Sequence, residues 1–293
     1  MNYFLENDYL KVELTDFGAE ILSIKGKKTD FEYLWQGNPE FWGGRATVLF
    51  PICGRLYEGK YTYEGKNYEM ELHGIARRLT FNLEEKTNNQ ITLVLNANEQ
   101  TKKIYPFDFI FKVTYTLDKN QLRTQFTVIN PSDKTLAFSV GGHPGFNVPF
   151  IEGENFEDYY LEFPYSKKVT YLLFDEKRLL TGETPEFKLK DGKIIPLKHN
   201  LFDNDAIFLC DMCESVTLKS LKNSRSVTVK FEDMTHLGFW HTPQTQAPFI
   251  CIEPWHGAPS VSGQTDDFAS KPEMIQLQEG RTYSNYFDII INE

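Results

Sequence analysis

Only four cysteines occur in 293 residues (Cys53, Cys210, Cys213 and Cys251), and their spacing makes no disulfide framework. Cys210-Asp-Met-Cys213 is a lone CxxC, with no second ligand pair for zinc and no strand–helix setting for a redox motif. Ordinary reduced thiols are expected. No apolar run approaches the roughly 20 residues that a bilayer-spanning helix needs. The opening residues, Met1-Asn-Tyr-Phe-Leu-Glu-Asn-Asp8, carry acid where a secretory leader carries base, and no apolar stretch follows. A cytoplasmic protein without membrane contact is therefore expected. Lys/Arg-rich blocks are missing as well. With 31 basic against 41 acidic residues the net charge is −10, which excludes the electrostatic footprint of a nucleic-acid binder. No stretch of a dozen residues shows helical periodicity between start and stop signals, and there is no low-complexity linker or fixed-period repeat.

What is present is alternation. Phe111, Val113, Tyr115 and Leu117 keep a period of two; Asp118-Lys-Asn120 turns the chain; Leu122, Thr124, Phe126 and Val128 resume the period. That pattern predicts a hairpin. Similar pairs flank Glu64-Gly65 (Tyr61, Tyr63, then Tyr68, Met70), Asn88-Asn89 (Phe81, Leu83, then Ile91, Leu93, Leu95) and Asn223-Ser224 (Val216, Leu218, then Val227, Val229, Phe231). Aromatic residues, 15% of the chain, suit half-buried pleated surfaces. Many short strands between turn signals predict an all-β sandwich or barrel. Residues 151–205, charged and holding Pro164, Pro185 and Pro196, read as an excursion from the sheet, but nothing there marks a boundary. One domain over 1–293 is expected.

Three segments interrupt the alternation with polar residues that strands do not need. The first holds Phe50-Pro-Ile-Cys-Gly-Arg55 and ends Leu72-His73-Gly74-Ile-Ala-Arg77. An arginine and a histidine stand at the two ends of a hairpin, where loops of a sandwich present side chains to ligands. Alone, His73 is more often a structural histidine and Arg55 a surface cation. The second is Ser139-Val-Gly-Gly-His143-Pro-Gly-Phe-Asn147, whose glycines allow close approach of the backbone or positive φ. Pro144 holds His143 extended. The third is Phe249-Ile-Cys-Ile-Glu253-Pro-Trp-His-Gly257, where a carboxylate ends an apolar strand at the proline that stops its pairing. Desolvation there raises a carboxyl pKa toward that of a working base. Trp255 offers a flat apolar face that suits the C–H face of a sugar. Two histidines, a carboxylate and an arginine in Gly/Pro-punctuated segments are what proton shuttling on a polyol needs.

Arg55, the Tyr61/Gly65 hairpin, His73-Gly74, His143 and Glu253, in this order over nearly the whole chain, resemble the aldose 1-epimerase (galactose mutarotase-like) family. His143-Pro-Gly-Phe-Asn147 and Glu253-Pro-Trp-His-Gly257 are more similar to its LacX-like branch. The resemblance implies a large antiparallel β-sandwich, with Glu253 as general base and His143 as general acid. It further implies Arg55 and His73 as substrate-binding residues. The family aspartate that holds sugar hydroxyls falls at Asp205, with Asp203 as the alternative. It implies a small sugar as partner, no cofactor, and a monomer or homodimer.

Rival readings remain at this level. A non-catalytic sugar sensor shares the same motifs. A hexose-6-phosphate epimerase would place phosphate near Arg77 and Arg78, which as surface or structural arginines need no such role. A glycosidase would use Glu253 and Asp205 as its carboxylate pair. A metal site at His236 and His241 is disfavoured, because a spacing of five puts them on opposite faces of a strand.

Overall fold

In the computed structural model, which describes residues 1–293, the alternation becomes strand. About 46% of residues lie in strands and 6% in short helices. A nine-stranded antiparallel sheet runs in the spatial order Ile194–Pro196, Tyr159–Glu162, Ser215–Ser220, Ser226–Lys230, Thr282–Asn292, Gln121–Ile129, Ile110–Asp118, Gln90–Asn96, Asn82–Lys86. A seven-stranded sheet runs Glu186–Phe187, Val169–Tyr171, Ile207–Cys210, His236–Trp240, Phe249–His256, Val140–Asn147, Ala46–Leu49. The expected antiparallel β-sandwich is the fold. The chain's N-terminal strands Asn2–Glu6, Leu10–Thr15 and Ile21–Gly26 make a separate three-stranded sheet.

All four hairpins form. Ile110–Asp118 pairs with Gln121–Ile129 from Asp118 opposite Gln121, and each strand buries every second residue. The Glu64-Gly65 turn has positive φ at both positions (49° and 73°), the geometry that matches strand twist in a two-residue loop. The Asn88-Asn89 hairpin departs in one detail. Phe81, just before the edge strand, is buried, but every residue of Asn82–Lys86 is exposed, Leu83 at 43%, and a register shift follows between Leu83 and Glu85. Residues 151–205 are no excursion. Their short strands supply edges to both sheets, Tyr159–Glu162 and Ile194–Pro196 to one, Val169–Tyr171 and Glu186–Phe187 to the other.

The two sheets meet through aromatic side chains. Phe50, just beyond Ala46–Leu49, stacks on Phe111 with ring centroids 4.3 Å apart. Each such fully buried side chain is worth roughly 1.5–3 kcal/mol of apolar transfer. In the larger sheet Ile110–Asp118 and Gln121–Ile129 bury one face only. The central strands Val140–Asn147 and Phe249–His256 are buried along almost every residue. Their second face lies under loops, and the functional side chains are found there.

Candidate active site

Glu253 and His143 stand on those two central strands. Gly141 lies opposite Trp255 and Gly145 opposite Cys251, so the register sets His143 across from Glu253. Pairing between these strands skips 142–144, where Pro144 and Pro254 lack donors, but Pro254 does not end its strand. Phe249–His256 stays paired on its other side, with Gly238 opposite Glu253, Leu237 opposite Pro254 and His236 opposite Trp255. The glycines around His143 likewise serve packing. None has positive φ; Gly141 leaves room for the Trp255 indole, whose Cδ1 would be 2.7 Å from a Cβ there. His143 Nε2 lies 3.3 Å from Glu253 Oε1, without the alignment of a hydrogen bond. Both are buried, at 8% and 2% exposure.

His73 approaches from the loop after the Tyr61/Gly65 hairpin, in left-handed backbone (φ 64°). Its N–H donates to the Gly54 carbonyl at 2.9 Å, and the Gly54 N–H donates to His73 Nδ1 at 3.1 Å. The remaining ring proton is therefore on Nε2. The ring stands edge-on to His143 (5.4 Å) and to Trp255 (5.5 Å). Arg55 follows Gly54, whose φ of +80° and close contact with Pro259 exclude a side chain. Across the cleft, Asp205 accepts a hydrogen bond from Trp240 Nε1 at 3.0 Å and faces Arg178 Nε at 3.6 Å. Arg55, His73, His143, Asp205, Glu253 and Trp255 thus line one cleft of about 290 Å³. Asp203, exposed, does not line it.

The environment sets the protonation. Burial, and then the charge of Asp205, hold Glu253 well above the usual carboxylate range. Burial pushes His143 down to about 3. It also holds His73 well below an ordinary imidazole, helped by His143, Arg77 and Arg55. Asp205 is raised by burial, with Arg178 opposing. Of five buried side-chain polar atoms without a hydrogen-bond partner, three belong to this cleft: His143 Nδ1, Glu253 Oε1 and Trp255 Nε1. Buried polar groups are normally satisfied, so their clustering marks a site built for a polar ligand.

The sequence profile of the aldose 1-epimerase family matches residues 1–289. The chain belongs to the aldose 1-epimerase family. It is 35% identical to the chromosomal protein LacX of Lactococcus lactis subsp. lactis, with 99% of each chain covered. Two solved structures are similar throughout. A galactose mutarotase related enzyme from Lactobacillus acidophilus has a TM-score of 0.96 at 39% identity, covering 100% of this chain and 98% of that one. A galactose mutarotase-like protein from Lactobacillus casei ATCC 334 has a TM-score of 0.94 at 29% identity, covering 100% of both.

Several cleft residues of this family member carry no sequence signal. Trp42 lies face to face with His143 (4.8 Å, 32° between planes), and Trp240 meets the same ring edge-on at 5.8 Å. Arg178 sits in the charged run Asp175-Glu-Lys-Arg178, which reads as solvated surface. His236 and His241 go separate ways, His236 stacked on Phe208 and His241 3.2 Å from His199. The one group with metal-ligand proximity is His143, Cys251 and Glu253, whose ligand atoms lie within 4.8 Å of one another. Burial, then the charge of Glu253, hold the Cys251 thiol far above its usual range. A thiol and a carboxyl that burial both makes reluctant to ionise are a poor donor set for a cation.

Two of the three cleft arginines, Arg55 and Arg178, hang on one buried residue. The Ser260 N–H donates to the Arg55 carbonyl (2.8 Å), and the Ser260 carbonyl accepts from the Leu180 N–H (2.9 Å), two residues beyond Arg178. Ser260 Oγ donates to Asp266, which pairs with Lys271 at 3.3 Å. Lys271 Nζ also donates to the Pro259 carbonyl at 3.4 Å. Lys271→Met leaves the Asp266 carboxylate buried without its cation, and the expected loss of stability is about 3–5 kcal/mol. Adding Asp266→Asn removes the stranded charge and recovers most of it. Urea unfolding of the single and double variants is the measurement; a single variant within 0.5 kcal/mol or so of the parent defeats this account.

Proposed function

We propose that the chain is an aldose 1-epimerase that interconverts the α and β anomers of a hexose, with the whole chain acting as one catalytic domain. The observation that carries the reading is the buried Glu253–His143 pair, 3.3 Å apart at the floor of a sugar-sized cleft. Mutarotation requires a base to take the proton from the anomeric hydroxyl while an acid protonates the ring oxygen. The ring opens to the aldehyde, rotation about C1–C2 presents the other face, and the two groups close the ring with roles reversed. One proton is taken and one given in each direction, so the pair ends with as many protons as it began. No cofactor enters this balance.

A carboxyl pushed up and an imidazole pushed down suit this task. With carboxyl raised and imidazole lowered, a proton shared by the unliganded pair favours Glu253 over His143. Hydroxyls of a bound sugar supply hydrogen bonds to an ionised carboxylate, which lowers the cost of passing the proton to His143. His73, neutral with Nε2–H, is a fixed donor. Asp205 is the acceptor for sugar hydroxyls, and Trp255, Trp42 and Trp240 provide apolar walls. Oriented acid–base groups contribute roughly 10²–10⁴-fold, ample for a reaction that already proceeds in water.

The direct test is exchange spectroscopy by NMR on glucose and galactose, comparing anomer interconversion with and without protein. Binding without faster exchange would make the protein a sugar sensor; release of the aglycone from an aryl hexoside would make it a glycosidase. A second expected outcome concerns Arg55, which is assigned to binding. Arg55→Lys raises KM about tenfold and leaves kcat within about threefold, because an ammonium cannot reproduce the planar guanidinium fork. A fall in kcat with unchanged KM would move Arg55 from binding to the chemical step.

A further inference from the structure

Charge in the cleft runs against charge in the chain. The protein carries −10 overall, yet Arg55, Arg77 and Arg178 line the cleft beside only two carboxylates, Glu253 and Asp205. Those carboxylates do not cancel the cations. Glu253 is buried, which holds its carboxyl well above the usual range, and Asp205 faces Arg178 at 3.6 Å. Arg55 and Arg77 have no carboxylate within 4.0 Å. Arg78 differs from its neighbour: it pairs with Glu71 at 2.7 Å, 60% exposed, and does not line the cleft. The short helix Ala76–Arg78 turns one arginine inward and the next outward.

Arg77 is held for use. Its Nε donates to the Leu72 carbonyl at 3.1 Å, which orients the guanidinium and leaves its terminal nitrogens uncommitted. Burial, and then Arg78, make its charge less comfortable than in water. Arg55 is fixed through Ser260, as described above. Arg55, Arg77 and Leu72 also line a second cavity of about 1180 Å³, which adjoins the cleft and whose other walls carry Arg78 and the glutamates Glu58, Glu69, Glu71 and Glu99. A group lying between the two arginines therefore has room outside the space that a hexose ring fills.

The geometry points to a phosphorylated hexose as the substrate, its ring over the Glu253–His143 pair and its phosphate between Arg55 and Arg77. This rests on the mutarotase reading and narrows its substrate. Two partly buried guanidiniums without a carboxylate in ion-pair contact can hold an anion, and forked guanidinium–phosphate hydrogen bonds are among the strong ones. A phosphate monoester carries about −1.5 to −2 at neutral pH, which matches two cations. A hexuronate, with one negative charge, leaves one arginine uncompensated.

The experiment is anomer exchange by NMR on the full chain with glucose, galactose, their 6-phosphates and glucuronate, each rate set against its own uncatalysed rate. The expected result is a kcat/KM at least about tenfold higher for a 6-phosphate than for its free hexose. Inorganic phosphate is expected to inhibit competitively, less so as ionic strength rises. Arg77→Gln is expected to lower the phosphate-to-free selectivity ratio by about tenfold or more, Arg77→Lys to restore part of it, and Arg78→Gln to leave it unchanged. A wild-type ratio of one or less, or equal ratios in the Arg77 and Arg78 variants, overturns the proposal while free-hexose turnover leaves the mutarotase reading standing. Glucuronate preferred over both phosphates overturns the phosphate assignment. No accelerated exchange with any sugar removes the mutarotase reading itself.

Discussion

Glu253→Gln is expected to lower anomer exchange by about 10²–10⁴-fold while sugar binding stays within a few fold. The amide keeps the shape of the side chain and its reach toward His143, so the cleft walls are undisturbed. What it loses is the ability to take a proton and give it back, and both half-reactions need that. In the proposed reading binding rests on Arg55, His73, Asp205 and the tryptophan walls that line the cleft, which the substitution leaves in place. His143→Asn is expected to act similarly, because the ring oxygen loses its proton partner. The measurements are exchange rate by NMR and affinity by calorimetry on the same protein. A Glu253 variant that exchanges within threefold of wild type rules out this carboxyl as the base, and a parallel loss of affinity makes it a binding group.

Acid is expected to unfold the protein well before the carboxylates titrate fully. All six histidines are held below the ordinary imidazole value. Burial is the first cause at each: His143 at about 3, His236 and His241 at about 4, and His73, His199 and His256 lowered. The unfolded chain takes up these protons near pH 6.5, whereas the folded chain refuses those of His143, His236 and His241 until pH 3 to 4. Between those limits the unfolded state binds more protons, so stability falls as pH falls. Each fully refused proton costs about 1.4 kcal/mol per pH unit. His143, His236 and His241, none more than 8% exposed, would together remove about 4 kcal/mol per unit. Glu253 acts in the opposite direction, since its folded pKa is raised, and it offsets one histidine at most. The net loss remains a large part of the roughly 5–15 kcal/mol that domains possess. The general charge argues the other way, because acid brings a chain with pI 5.2 nearer neutrality. Urea unfolding at pH 7 and pH 5 decides between them; equal stability at both would show that these rings accept protons while folded.

The hairpins were legible because their determinants are local. Phe111 to Val128 carry their own period of two and their own turn, and the turn geometry selects the register without help from the rest of the chain. Glu253, His143, His73 and Arg55 were legible as candidates because glycine and proline beside them mark places where backbone or ring packing is unusual. The reason behind the marks was not. Gly141 and Gly142 make space for Trp255 and Phe287 inside a strand, and Pro254 interrupts one ladder while leaving the other intact. Nothing local distinguishes a glycine needed for a turn from one needed by a ring arriving from residue 255 or 287.

Tertiary structure alone decided the rest of the cleft. Asp205 rather than Asp203 faces it, because Trp240 comes from the strand paired with Ile207–Cys210 to bind that carboxylate. Arg178 is drawn from a charged surface run by the Leu180–Ser260 hydrogen bonds, and Arg77 parts from Arg78 within a single turn. Composition and alternation report which residues prefer burial and which backbone shapes are allowed nearby. Which charges end up facing one another depends on strands and loops that meet across tens to hundreds of residues, and no window of sequence contains both partners.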